Sequence, residues 1–390
     1  MLRGPVATVF QLIAAGALCA QQTPITRLRT PDAEFAEPFS QIDGVRALMD
    51  GRVIVLDGLE LTVHLVDFER GRLLPVGRKG AGPGEYQRPL RLFPWRGDTT
   101  ALDDMGARRV LLILPNGRPG PSFDPRRAAG GESGMAFLNA PRAVDGMGRM
   151  YTAAQPLRRP EPGGEITLAD SSAIERWERG ARTRDTVAWL LPPSDGSRRF
   201  VAGVGVMSSP SLRAFKTEDQ WAVASDGGIA IVHWNPYRVD FVGPDGQLRR
   251  GAPISFDPIP VSAEHQRKFL LDLERPGIVT TFRNGTVTTH LRKPPPSRDP
   301  WEFPDHLPPF LPRAIAFSAD GYLWIQRTTA ANAPPVYDLI NSRGMVDERV
   351  ELPIGSRVVG FGAGAVYIAR VDQDDLQYLQ RYRFTPKARP

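Results

Sequence analysis

The chain has 390 residues, 49 basic and 43 acidic side chains, a formal charge of +6 and a single cysteine, Cys19. One cysteine rules out a disulfide framework and a zinc–cysteine centre. The charge is spread, mostly as Arg, with no run of five or more like charges, so the usual basic arm for nucleic acid is absent.

Residues 1–20 carry Arg3, a mostly apolar stretch from Val6 and the ending Ala17-Leu-Cys-Ala20. A spanning helix needs about 20 apolar residues, so this run is too short. It reads as a cleavable export signal cut near Ala20. Leu18 stands where a lipid-attachment signal would need a small residue before Cys19. The expectation is a periplasmic or secreted monomer, cysteine-free after cleavage, with no later membrane segment and no nucleic-acid partner. Residues 21–38 are expected to supply the closing strand of the last repeat. Within them Thr23-Pro-Ile-Thr-Arg-Leu-Arg-Thr30 is the candidate, with Ile25 and Leu28 as its buried side chains.

From residue 39 onward one unit recurs. It runs as a short apolar segment, an Asp-Gly or similar turn, an alternating strand, a second alternating strand and an exit strand. Val45-Arg-Ala-Leu-Met-Asp-Gly-Arg-Val-Ile-Val-Leu-Asp57 and Ala314-Ile-Ala-Phe-Ser-Ala-Asp-Gly-Tyr-Leu-Trp-Ile325 are its clearest copies. A repeat of roughly 40–50 residues holding four short strands is the pattern of a propeller blade. In chain order the units predict strands near 52–56 and 61–68; 90–93, 99–102 and 109–114; and 149–153 and 172–177, with a polar loop at 158–164. They continue near 212–215, 220–224 and 238–242; 315–317, 322–326 and 336–341; and 358–361, 365–370 and 376–384. Alternation such as Leu376, Tyr378, Gln380 and Tyr382 against Gln377, Leu379, Arg381 and Arg383 has the period of antiparallel sheet. The fold expected is all-β: a six-bladed β-propeller of four-stranded antiparallel blades over residues 39–388. A sandwich would not explain six similar units. Nor does the chain exceed the size of one core in a propeller, where each sheet packs only on its neighbours.

Residues 257–311 interrupt the rhythm between the fourth and fifth units. Ser262 is placed as a helix N-cap with Glu264 in the first turn, and Phe269, Leu270 and Leu273 form an apolar stripe. Asn284-Gly285 between two β-branched runs predicts a hairpin, and a proline-rich run from Pro294 returns the chain to the sheet. The insertion is expected to lie across one face.

Few motifs carry chemistry. Gly77, Gly80, Gly82, Pro83, Gly84 and Glu85 lack the Lys-Ser/Thr pair and following helix of a phosphate loop. They are read as a structural inter-blade loop in which Glu85 accepts backbone N–H bonds. His64, His233, His265, His290 and His306 lack the spacing of metal ligands. Asp372-Gln-Asp-Asp375 and Asp103-Asp104 read as solvated acidic turns, and Ser208-Ser209-Pro210 as a turn without a nucleophile. No catalytic or metal residue is assigned. Trp301, Phe303, His306 and Phe310 are the candidate binding residues, since aromatics in such a segment serve either as a contact surface or as glue for the insertion.

Val76-Gly-Arg-Lys-Gly-Ala-Gly-Pro-Gly-Glu-Tyr86, Phe303-Pro-Asp-His-Leu-Pro-Pro-Phe310 leading to Asp320-Gly-Tyr-Leu-Trp324, and the ending Val358-Val-Gly-Phe-Gly to Arg381-Tyr-Arg-Phe384 resemble exported bacterial six-bladed propellers. These are related to the NHL-repeat and TolB-like propellers. The resemblance implies the architecture over about residues 39–384 and no fixed activity. Relatives in the wider class include lactonases and an amidating lyase with metal in the central channel, but their ligands do not map onto this chain. The functional expectation is an exported, non-enzymatic propeller binding a protein, peptide or glycan on the face carrying the insertion, without a cofactor. The alternative is a metal-dependent hydrolase or lyase using calcium or zinc in the channel.

Overall fold

The computed structural model describes residues 23–125, 140–154, 157–158, 167–168, 171–191, 199–202, 205–208, 213–275, 277–283, 286–292 and 301–387. The expected export signal and the Asn284-Gly285 and Ser209-Pro210 turns lie outside them.

Six four-stranded antiparallel blades form a propeller ring. Blade 1 runs from the inner strand Ile42–Ala47 through Val53–Asp57 and Thr62–Asp67 to the outer strand Arg72–Pro75. Blade 2 is Pro89–Pro94, Thr100–Asp104, Arg109–Ile113 and Pro119–Phe123, and blade 3 is Ala143–Val144, Met150–Ala154, Ser172–Trp177 and Asp185–Leu190. Blade 4 is Gln220–Val223, Ile229–Trp234, Tyr237–Val242 and Leu248–Arg249, and blade 5 is Phe310–Phe317, Leu323–Arg327, Val336–Ile340 and Val346–Glu351. Blade 6 has Ser356–Gly362, Ala365–Val371 and Gln377–Arg383, with Ala33–Glu34 as its outer strand.

Alternation decides the packing. Val53 and Val55 go into the cluster between blades 6 and 1, whereas Ile54 and Leu56, one residue out of phase, go into the cluster between blades 1 and 2. Similar apolar clusters fill the other four junctions. Both faces of every blade are therefore covered, and a strand such as Val53–Asp57 is buried along its whole length.

Buried carboxylates fix the loops that these clusters cannot hold. Asp57 ends the second strand of blade 1 and accepts from the backbone N–H groups of Ser40, Gln41, Leu59 and Glu60. Asp104 repeats the device in blade 2 for Gln87, Arg88 and Ala107. Each ties a turn to the approach of its own inner strand. Between blades 4 and 5, fully buried Asp338 accepts from the Tyr237 hydroxyl at 3.0 Å, Arg349 Nε at 3.0 Å and Arg327 Nη1 at 3.2 Å.

Closure differs from the sequence reading. Ile25–Arg27 does not join the last blade but pairs in parallel with Arg349–Glu351 on the outer edge of blade 5. There Ile25 is exposed, and only Leu28 is buried, in the cluster between blades 5 and 6. Ala33–Glu34 pairs with Gln380–Arg381 instead, and Phe35 and Phe39 plug the junction of blades 6 and 1. Two phenylalanines cover more apolar surface than Ile25 and Leu28, so they occupy the seam. The seam is also tight at the inner strands, where a Cβ on Gly360 would stand 2.4 Å from the Val45 carbonyl oxygen.

A second correction falls in blade 4. Residues 213–215 are no blade strand. Arg213 bridges to Glu302 of the insertion, and the inner strand is Gln220–Val223, turned at Asp226-Gly227 into Ile229–Trp234. In the insertion the helix spans Ala263–Leu273 with Ser262 as its N-cap, and Gly277–Arg283 pairs with Thr286–Arg292 as a hairpin. A further four-stranded sheet, which the sequence reading did not include, joins Leu157–Arg158 and Thr167–Leu168 to Arg199–Ala202 and Gly205–Ser208.

Phe35→Ala should lower stability by about 3–5 kcal/mol, because it opens a cavity in the closing junction. Ile25→Ala, at an exposed site, should change it by no more than about 0.5 kcal/mol. Urea unfolding of the two variants measures both, and equal losses would show that closure does not rest on Phe35.

Candidate functional site

Antiparallel pairing within a blade puts the start of the inner strand on the same side as the second-to-third turn and the outer-to-inner crossover. All six inner strands therefore begin on one face, called here the crossover face. The opposite face receives the inner-to-second turns, which are short at 48–52, 95–99, 145–149, 224–228 and 318–322. The excursions share the crossover face. The additional sheet grows from the second-to-third connection of blade 3 and from the crossover between blades 3 and 4. The helix and hairpin grow from the crossover between blades 4 and 5.

The predicted binding residues separate in the structure. Phe310 is a core residue, 1% exposed and packed against Tyr237, so it is unavailable to a ligand. Trp301 and Phe303 are half-buried and meet Phe269 of the helix at ring-centroid distances of 5.0 and 5.7 Å, with Phe215 completing the cluster. They hold the insertion down. His306 is exposed in a two-residue strand against Ile259–Pro260. His265 closes the helix cap with Ser262 and reaches the Thr329 carbonyl of blade 5 at 3.2 Å.

The Gly77–Glu85 loop is held from within. Glu85 accepts the Gly82 N–H at 2.7 Å and Arg78 Nε at 2.6 Å, and these bonds hold its carboxyl below the usual carboxylate range. Gly80 has no room for a side chain, since a Cβ would lie 2.1 Å from the Glu85 carboxylate. Asp372 caps its own turn through Asp374 and Leu376. His233 sits between Asp219 at 2.6 Å and Asp240 at 3.1 Å, within blade 4.

Three arginines stand at or near the starts of inner strands on the crossover face. Arg91 is the third residue of the inner strand of blade 2, Arg142 immediately precedes that of blade 3, and Arg313 lies within that of blade 5. Burial depresses the Arg91 pKa most, the neighbouring Asp103 pulls it back up, and Arg142 and Arg313 lower it to a smaller extent. Blades 2 and 5 stand opposite each other in a six-bladed ring. The backbone bends at Arg313. The strand breaks register between Phe310 and Ile315, Arg313 adopts φ 67°, and Gln220 of blade 4 pins the bend. Its amide oxygen takes the Arg313 N–H at 2.8 Å, and its amide nitrogen donates to the Leu311 carbonyl at 2.7 Å. Bulges of this kind re-aim a side chain. Arg357 of blade 6 turns aside into the seam, where it donates to the Ile42 carbonyl at 2.6 Å.

Asp103 neighbours Arg91. Asp103 and Asp104 were expected in a solvated turn; they lie instead in the strand Thr100–Asp104, 3% and 0% exposed. Strand pairing on both sides, not the local acidity, sets their environment. Asp103 Oδ2 lies 3.5 Å from Arg91 Nη1 and has no hydrogen-bond partner among the described residues. Burial pushes its carboxyl up to about 6, against the pull of Arg91 and with a further push from Asp104. Arg142 and Arg313 are exposed and have no ion-pair partner among the described residues.

No family model and no curated protein matches the chain. Among solved structures it is similar to an exported protein, so named with reserve, of Bacteroides fragilis (11% identity, 92% of this chain and 94% of that one, TM-score 0.45). A gluconolactonase of Xanthomonas campestris (12%, 90% and 91%, 0.40) and the virginiamycin B lyase of Staphylococcus aureus (11%, 92% and 89%, 0.34) are also similar. Likeness at this level concerns the fold and transfers no chemistry.

The raised Asp103 pKa sets a pH dependence. Between about 4 and 6 the unfolded chain gives up this proton while the folded one keeps it, so the contribution of Asp103 to stability falls as pH rises through that window. Asp103→Asn removes the effect. Its stability relative to the native chain should therefore rise from pH ~4 to ~6.5, by on the order of 2–3 kcal/mol for a shift of roughly two units. Denaturant unfolding across this range tests it, and a pH-independent difference would contradict the assignment.

Proposed function

We propose that the chain is an exported propeller, related to the NHL-repeat and TolB-like propellers, that binds a protein, peptide or glycan on its crossover face without catalysing a reaction. The asymmetry between the two faces carries this reading. On the opposite face the inner-to-second connections are tight turns, whereas the helix, the hairpin and the additional sheet all rise from the crossover face on blades 3 to 5. Long ordered connections are uncommon in compact domains and are retained mainly where they are used. Here the helix is held by the Phe215, Phe269, Trp301 and Phe303 cluster and by the His265 bond to blade 5. That makes the helix a fixed element of the crossover face.

The alternative, a metal-dependent hydrolase or lyase, needs calcium or zinc ligands in the channel. Among the described residues no group of three or more His, Cys, Asp or Glu could hold a metal ion.

Screening the full chain on glycan and peptide arrays, with bound ligand mapped by hydrogen exchange, tests the proposal. Protection should concentrate on the helix Ala263–Leu273 and the starts of the inner strands. Protection confined to the opposite face, or turnover dependent on stoichiometric calcium or zinc, would refute it. Phe269→Ala should speed amide exchange in the helix by about tenfold, corresponding to roughly 1.4 kcal/mol, leave the blades protected, and weaken binding in parallel. Unchanged binding with a loosened helix would remove the insertion from the site.

A further inference from the structure

We infer that the outer edge of blade 3, the strand Asp185–Leu190, is an interaction surface that pairs antiparallel with the same strand of a second copy of this chain. The sequence reading expects a monomer, and the inference does not depend on the crossover face being the binding face.

A comparison of the six outer edges carries it. An outer strand turns unpaired N–H and C=O groups to solvent, and folded proteins blunt such rows with prolines, short strands or a cover. In blade 1 the outer strand Arg72–Pro75 has four residues and ends on a proline. In blade 2, Pro119 and Pro121 interrupt the row of donors. The outer strands of blades 4 and 6, Leu248–Arg249 and Ala33–Glu34, have two residues each. Blade 5 has a six-residue outer strand, Val346–Glu351, and there the chain supplies its own cover, Ile25–Arg27. Blade 3 also has six residues, Asp-Thr-Val-Ala-Trp-Leu, with no proline and a single charge at its start. Among the described residues no strand pairs with its outer side. Trp189 is 57% exposed on this strand, and Leu191, just past its end, is 69% exposed. The scaffold thus covers one long outer edge and leaves the other open with an indole on it.

The strand fits its own copy. Pairing about a two-fold axis between Val187 and Ala188 engages all six residues, with about six backbone hydrogen bonds. Side chains that meet across antiparallel strands must share a face, and a bulge satisfies this here. The register shifts opposite Ile174 and Glu175, leaving Val187 as the extra residue, and Val187, Ala188 and Leu190 all pack into the cluster between blades 3 and 4. Trp189 therefore lies on the blade 2 side. Arg184 is on that side too, with its guanidinium 4.3 Å from the ring centroid of Trp177. In the paired strands each Trp189 stands across from Thr186 and diagonal to Arg184 of the other copy, within reach of that alkyl stem. Leu191 meets the same stem, and Asp185 falls opposite Leu190, so no like charges face each other. Blade strands run along the ring, so antiparallel pairing points the two crossover faces in opposite directions. Each stays open.

Sedimentation velocity of the full chain tests this. Edge pairing buries less than a standard interface, so the chain should pass reversibly from monomer to dimer with a Kd on the order of 10–100 µM. Trp189→Lys puts a charge on the edge at an exposed position and should weaken the dimer about tenfold or more, with thermal melting unchanged. Trp189→Phe keeps an aromatic ring there and should stay within about threefold. Met49→Lys, the same change at an exposed site on a blade 1 turn, should leave the dimer as it is. Hydrogen exchange should show residues 185–190 gaining protection as concentration rises. A monomer up to about 300 µM, well above the expected Kd, or a dimer indifferent to Trp189→Lys would overturn the inference. Protection gained instead at residues 23–28 and 346–351 would mean that two copies exchange the blade 5 cover, and it too would overturn the pairing. Protection of 185–190 by an array ligand while the chain stays monomeric would assign the edge to a foreign peptide.

Discussion

A propeller blade has two flat apolar faces and cannot be stable alone, so every blade here depends on the ring being closed. Six apolar junctions must all exist, and the sixth is assembled from the two ends of the chain. Phe35 and Phe39, from the N-terminal segment, fill the junction where Tyr367, Ala369 and Leu379 of blade 6 meet Val53 and Val55 of blade 1. Arg357 and Gln377 then tie blade 6 to Ile42 on blade 1 through main-chain bonds. Closure also creates the central channel, a product of the same packing.

Buried charge in this protein does two kinds of work. Asp57, Asp104 and Asp338 are satisfied by several donors each, and they locate turns or clamp one blade to the next. Asp145 belongs with them. It accepts from Arg149 and Tyr151, and Arg149 in turn reaches the Asp226 carbonyl of blade 4. Asp103 stands apart, with a single cationic neighbour and an oxygen without a hydrogen bond among the described residues.

The two faces of the ring have diverged for a topological reason. Short turns such as 48–52 and 318–322 join strands already adjacent in one sheet, and there a hairpin needs few residues. Crossovers must pass from the outside of one blade to the inside of the next, and they tolerate growth without disturbing the sheets. The insertion and the additional sheet grew there, and the aromatic cluster around Phe269 fixes the insertion to the ring.

The sequence by itself determined the local structure: strands from period-two alternation, turns from Asp-Gly and Asn-Gly, and the helix cap at Ser262. These follow from steric and hydrogen-bond preferences acting over a few residues, and six repeats of them imply the propeller. Tertiary structure decided everything that depends on which strands become neighbours. Ala33–Glu34 rather than residues 23–30 completes blade 6, because the volume of Phe35 and Phe39 suits the last junction. Residues 213–215 leave blade 4, since Asp226-Gly227 supplies the turn on which its hairpin is built. Asp103 and Asp104 read as a polar turn, yet pairing with strands on both sides buries them. Arg91, Arg142 and Arg313 carry no motif, being separated by about 50 residues or more of ordinary blade sequence. Only the closed ring brings the starts of their inner strands onto one face.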